Sequence, residues 1–136
     1  AIWGKHALFE ESLRSPLIIS HPEVKEAGTP SSSIVETLDI FPTICDLAGL
    51  EVPEYLQGVS LRPILEDPTA SGHSAISYTG GAKTIRTSQH RLIVHRNGHL
   101  ELYDHSSKEG ETRNLAETDK SKASELLEKL NSRLKP

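Results

Sequence analysis

Asn97-Gly98, set between Arg91-Leu92-Ile93-Val94-His95 and His99-Leu100-Glu101-Leu102-Tyr103, constrains the fold more than any other pair of residues in this chain. Two strand-forming runs joined by Asn-Gly read as a β-hairpin, because a type I′ turn needs positive φ at both central positions and Asn-Gly accepts it most readily. With a two-residue turn, Ile93 faces Leu102 and Leu92 faces Tyr103, so both faces carry apolar side chains. A sheet covered on both sides follows. Ala75-Ile76-Ser77-Tyr78 and Thr84-Ile85-Arg86-Thr87 add two strands. Thr79-Gly80-Gly81 lacks the fuller glycine pattern and following helix of a phosphate loop, and reads as a flexible turn. In the tail, Ala123, Leu126, Leu127, Leu130 and Leu134 recur at helical spacing, with Glu125 and Lys129 as an i,i+4 pair. The region is thus α+β: an antiparallel sheet of about four strands packed by a C-terminal helix.

The first half has another character. Residues 8–14 predict a helical turn in which Glu10 and Arg14 pair at i,i+4, and Pro16 ends it. Leu17-Ile18-Ile19 reads as a strand buried on both faces, with no neighbour to pair with. His21 to Ser33 is a polar loop rich in Pro, Gly and Ser. Asp39 is placed to cap a helix over 40–48, with Pro42 in its first turn and Gly49 as its stop. Phe41, Ile44, Cys45 and Ala48 make its expected apolar face. A second helix is expected from Ser60 to Leu65. Residues 66–72 then mark the expected boundary between two parts, 1–70 and 71–136.

Charge and cysteine usage remove several functions. A net charge of −4 with interspersed signs gives no basic stripe, which argues against nucleic acid as a partner. No apolar run approaches the roughly 20 residues that span a bilayer, so no membrane is expected either. Cys45 is the single cysteine, which excludes an internal disulfide and a cysteine-based zinc site. Its apolar helical setting suits a buried, inert thiol. His90, His95, His99 and His105 flank or cross the hairpin, and imidazole is a common metal ligand. In the register above, His95 and His99 fall on opposite faces, against a shared ion.

Trp3-Gly4-Lys5-His6, followed by Phe9-Glu10-Glu11-Ser12-Leu13-Arg14-Ser15-Pro16, resembles the sulfatases of the alkaline-phosphatase-like superfamily, and within them iduronate-2-sulfatase-like enzymes. Further elements follow in the family's order. Val35-Glu36-Thr37-Leu38-Asp39-Ile40-Phe41-Pro42-Thr43 with Leu47-Ala48-Gly49 looks like its V-x-x-x-D-x-x-P-T and L-A-G segment. Gln57-Gly58-Val59-Ser60-Leu61-Arg62-Pro63-Ile64-Leu65 is similar to its G-x-S-L-x-P-L-L element. Ile85-Arg86-Thr87, Arg91-Leu92-Ile93, Glu101-Leu102-Tyr103-Asp104, Glu111 and Asn114-Leu115 resemble its C-terminal subdomain. Together these cover nearly the whole chain.

The resemblance implies an α/β fold of which residues 1–70 are the C-terminal remnant of the large domain and 71–136 the C-terminal subdomain. It implies hydrolysis of a sulfate ester, possibly of a sulfated sugar, with Lys5 as the catalytic and substrate-binding residue contacting the sulfate. A compact ammonium suits that task, since it neutralises charge on the sulfate oxygens. His6 beside it either touches substrate or supports the loop. Glu10 and Arg14 are expected to fix that loop as an ion pair. Sulfatases use a formylglycine from a C/S-x-P-S/A-R motif and a divalent cation, usually calcium. Neither that motif nor the acidic cation ligands occur here, so no metal ligand or cofactor is assigned to this chain. Both are expected upstream, in the missing N-terminal part of the same protein, and the chain alone is expected to be inactive. Phosphonate or phosphodiester hydrolysis is the alternative within the superfamily. A non-catalytic assembly module, with homo-oligomers forming through exposed apolar surface, is the alternative outside it. An extracytoplasmic location is the family's expectation.

Overall fold

Between Ala75 and Asp104 the alternating runs fold as an antiparallel meander. Strands β1 (Ala75–Tyr78), β2 (Ala82–Arg86), β3 (His90–His95) and β4 (Leu100–Asp104) pair in chain order, each with the next. The structure is a computed structural model that describes residues 6–134. The described residues form two units: residues 6–16 group with 75–134, and residues 17–74 form the other. The division in the chain falls at Ser74/Ala75, a little beyond the expected boundary at 70/71, and the segment 6–16 belongs with the sheet.

The hairpin register differs by one residue from the expected one. Leu92 pairs with Leu102 and Ile93 with Glu101. The reason lies in the turn. Among the described residues positive φ is confined to glycines: Asn97 does not take the type I′ conformation, while Gly98 sits at φ 84°. His95 N donates to His99 O at 2.9 Å, and Gly98 N donates to His95 O at 2.9 Å. Arg96-Asn97-Gly98 is therefore a three-residue loop, a type I turn followed by a left-handed residue. A one-residue slip exchanges the partners on each face. Both faces stay apolar, as expected, but with different members.

On one face Ile85, Leu92 and Leu102 pack with Ala123, Leu126 and Leu130 of helix α4 (Lys120–Arg133). Asp119 starts that helix, its carboxylate accepting from Lys122 N at 3.0 Å. Truncating a core leucine of this kind to alanine typically costs about 2–5 kcal/mol. On the other face Ile93 and Tyr103 pack with Leu8, and Phe9 and Leu13 lean on them. The short helix α1 (Glu10–Leu13) thereby covers the second face. Among the described residues no helix is long and apolar enough to cross a membrane.

In the other unit a 3-10 turn (Thr37–Asp39) leads into α2 (Ile40–Leu47), and α3 (Arg62–Glu66) follows. Two expectations fail here. Leu17-Ile18-Ile19 forms no strand, and Ile18 is 90% exposed. Helix α2 buries Pro42, Thr43 and Cys45, whereas Phe41 and Ile44 stay exposed. The side of α2 facing its own unit is chosen by polar anchors at Asp39 and Thr43, and the bulkier apolar residues point elsewhere. Cys45 is buried and free, as expected.

Candidate functional site

Lys5, the residue singled out from the sequence, lies outside the described residues. His6, the first described residue, is exposed. What the structure does show is how the chain immediately after them is held.

Glu10 opens α1 and is the centre of a charge network. Its carboxylate accepts from Arg91 Nη2 at 2.6 Å and from Arg86 Nε at 3.1 Å. Its backbone N donates to Glu111 Oε2 at 2.7 Å. Glu111 Oε1 accepts from Arg91 Nε and, at 3.0 Å, meets His105 Nε2. The expected Glu10–Arg14 pair is thus replaced by pairing with Arg86 and Arg91. Two guanidinium forks from adjacent strands offer more donors in fixed directions than one arginine on the same short helix. Arg91 retains only 2% of its surface. Two arginines and two glutamates balance, so each buried charge is compensated.

Ligand atoms of Glu10, His105 and Glu111 lie within 4.8 Å of one another. That trio does not fit a calcium-type cation. Such an ion takes about six to eight oxygens, and these carboxylates already face Arg86 and Arg91. Among the described residues no other cluster of His, Cys, Asp and Glu offers ligands for a divalent cation.

The network sets a pH response. Burial alone would raise the Glu10 carboxyl, but hydrogen bonds and charge from Arg86, then Arg91, outweigh it and hold it below its ordinary 4.5. Burial pushes the His105 imidazole below its ordinary 6.5, the Arg86 charge adds to this, and Glu111 and Glu10 offset part. In both cases the unfolded chain takes up the proton first as pH falls, so both groups destabilise the fold on acidification. The urea midpoint should therefore fall as pH drops below 6.5, through His105, and fall further below 4.5, through Glu10. A flat or rising midpoint over that range would contradict the network.

The residues of the V-x-x-x-D-x-x-P-T element prove to be anchors. Asp39 is fully buried, and its side chain accepts from Glu36 N at 2.7 Å and Val59 N at 2.9 Å. His73 Nε2 meets the same carboxylate at 2.7 Å. The expected side-chain cap of α2 by Asp39 does not form; Asp39 is instead the third residue of a capping box in which Glu36 caps the 3-10 turn ahead of that helix. Thr43 Oγ1 donates to Asp39 O at 2.5 Å and accepts from Leu61 N at 2.8 Å. Gly58 allows this close approach, since a Cβ there would stand 2.1 Å from the Leu38 carbonyl oxygen. Farther along, Asp46 accepts from Ser60 Oγ and from Arg62 Nε, the latter at 2.9 Å. The Ser60 hydrogen bond, then Arg62, holds the Asp46 carboxyl below its ordinary range.

A third cluster stands on the α1 side of the sheet. Glu101 accepts from the Tyr103 hydroxyl on one oxygen and meets His95 Nε2 at 2.6 Å on the other. Burial and that hydrogen bond raise the Tyr103 phenol well above its ordinary range, so it stays protonated and donates. Tyr103 meets Phe9 edge-on, ring centroids 6.0 Å apart. The His95 and His99 rings lie 5.6 Å apart, which corrects the expectation that they occupy opposite faces. The register shift is the reason: His95 now stands opposite His99 rather than beyond it.

Comparison with known proteins carries the family. The family described as "N-sulphoglucosamine sulphohydrolase, C-terminal" matches residues 1–136. An N-acetylglucosamine-6-O-sulfatase of Bacteroides thetaiotaomicron is 46% identical over 65 residues, 48% of this chain and 12% of that protein. A Delta 4,5-hexuronate-2-O-sulfatase of the same organism is 32% identical over 130 residues, 85% of this chain. The chain spans 27% of that relative's length. A solved protein in complex with its substrate D-glucosamine-2-N,6-O-disulfate superposes with a TM-score of 0.81 at 32% identity, over 93% of this chain and 29% of that one. With its four-stranded antiparallel sheet and C-terminal helix, this chain belongs to the sulfatases of the alkaline-phosphatase-like superfamily, in the N-sulphoglucosamine sulphohydrolase C-terminal family.

Proposed function

We propose that this chain is the C-terminal portion of a sulfatase that hydrolyses sulfate esters of sulfated sugars. The observation that carries the reading is the family match over residues 1–136, supported by the superposition on the glucosamine disulfate complex. In the intact protein Lys5 contacts the sulfate and stabilises the charge that develops on it, and His6 beside it in the sequence touches the substrate. Residues 1–70 belong by sequence to the large α/β domain and residues 71–136 to the C-terminal subdomain, with the stretch 6–16 packed on the sheet of the latter. The nucleophile, expected as formylglycine, and calcium or another divalent cation belong to the N-terminal part, so the isolated chain is inactive. Ile18, Phe41, Ile44 and Tyr55, all exposed, supply apolar surface for that part to cover. The compartment is extracytoplasmic, as for sulfatases in general.

The test uses the intact protein with sulfated glucosamines (D-glucosamine-2-N,6-O-disulfate among them), 4-nitrophenyl sulfate, a phosphonate monoester and a phosphodiester. Sulfate esters should give the highest kcat/KM, and the 136-residue chain alone should give none. A preference for the phosphonate or the diester would move the reading to phosphoryl chemistry. Absence of all hydrolysis would favour an assembly module.

A further inference from the structure

We propose that His95 is a specificity-determining binding residue for the sugar of the substrate, held for that task by Glu101 and Tyr103. This rests on the sulfatase reading above and names a residue for its saccharide.

The cluster is graded from core to surface. Tyr103 is 6% exposed and packed with Ile93, Leu8 and Phe9. Its hydroxyl donates to Glu101, whose side chain is 17% exposed, and the other carboxylate oxygen meets His95, whose side chain is 36% exposed. An ionised carboxylate only accepts, so His95 Nε2 carries the proton of this hydrogen bond. In the neutral imidazole Nδ1 then presents a lone pair, and no hydrogen bond among the described residues uses it. A carboxylate that fixes the tautomer of a surface imidazole is the arrangement used wherever a histidine must meet a ligand in one orientation.

The position suits the role. Across the sheet from His95 stands Ala82, whose methyl leaves the neighbouring ground low, and on the other side lies the His99 ring. Tyr103 contacts Phe9, which lies on the segment that follows Lys5 in the sequence. Orientation of the imidazole and placement of the segment following Lys5 therefore share one packed cluster. A sugar hydroxyl is the fitting partner: it donates to Nδ1 while its own oxygen is free to accept from other groups.

The experiment measures kcat/KM of the intact protein for a sulfated glucosamine and for 4-nitrophenyl sulfate, which has no sugar, in His95→Ala and Glu101→Gln. The ratio of the two constants, sugar over aryl, should fall by about 10- to 100-fold in His95→Ala, mostly through KM. Glu101→Gln should lower the same ratio less, because an amide offers one acceptor atom where the carboxylate uses two. Melting temperatures of both variants show whether they fold. If both substrates lose rate in equal proportion, His95 is structural and the inference is overturned. An unchanged ratio overturns it as well. Aryl sulfate hydrolysis by the unaltered protein separates these outcomes from failure of the sulfatase reading itself.

Discussion

Arg91→Met should destabilise the unit built on the sheet by about 3–5 kcal/mol, because it leaves the well-buried Glu111 without its arginine and the half-buried Glu10 with Arg86 alone. For a unit of this size that corresponds to a fall in melting temperature of about 12–40 °C, read from a thermal melt followed by circular dichroism. The side chain volume is nearly kept, so loss of packing is a minor part of the expected effect. Arg91→Lys should recover little. Arg91 Nη2 bonds Glu10 while its Nε bonds Glu111, and a single ammonium cannot reproduce that fork. Adding Glu111→Gln to Arg91→Met should return part of the loss, since the pair is then neutral and the two effects are not additive. A fall below about 1 kcal/mol would place Arg91 among weak surface pairs and remove it as the anchor of α1.

Lys5→Ala should lower turnover of a sulfated sugar by the intact protein about 10²- to 10³-fold, as removal of one charge-stabilising donor commonly does. In the proposed role the ammonium acts on charge that grows along the reaction, so kcat should fall with kcat/KM. Fold stability should barely move, which separates this variant from Arg91→Met. The two are connected through sequence: Glu10, held by Arg86 and Arg91, lies five residues after Lys5 and opens the helix that follows it. A Lys5→Ala protein within a few-fold of the parent would take Lys5 out of the reaction.

The strands were legible because their evidence is local. Alternation and β-branched content mark Ala75–Tyr78 and His90–His95 without knowledge of any partner. The same holds for α4, whose buried Ala123, Leu126 and Leu130 follow a 3.6-residue period. The turn type at Asn97-Gly98 was less secure. Asn-Gly fits a two-residue or a three-residue loop, and the choice rests on which register packs both faces of the finished sheet. Helix α2 shows the opposite failure. Its apolar period is real, yet Phe41 and Ile44 are exposed while Thr43 and Asp39 are buried. Periodicity identifies a helix but not the direction in which that helix faces when polar anchors compete.

The charge network lay beyond sequence reading for a simpler reason. Glu10 meets Arg86, Arg91 and Glu111 across separations of 76, 81 and 101 residues. The one partner in reach of a local rule, Arg14 at i,i+4, is not the one chosen. Likewise Glu101, His95 and Tyr103 become a cluster only once β3 and β4 pair in the observed register. The sequence by itself determined the four strands, the C-terminal helix, the two-sided sheet and the family-like motifs around Lys5. Only the tertiary structure decided which charges neutralise each other and which imidazole is oriented, because a hydrogen bond depends on direction and distance between groups that the chain brings together last.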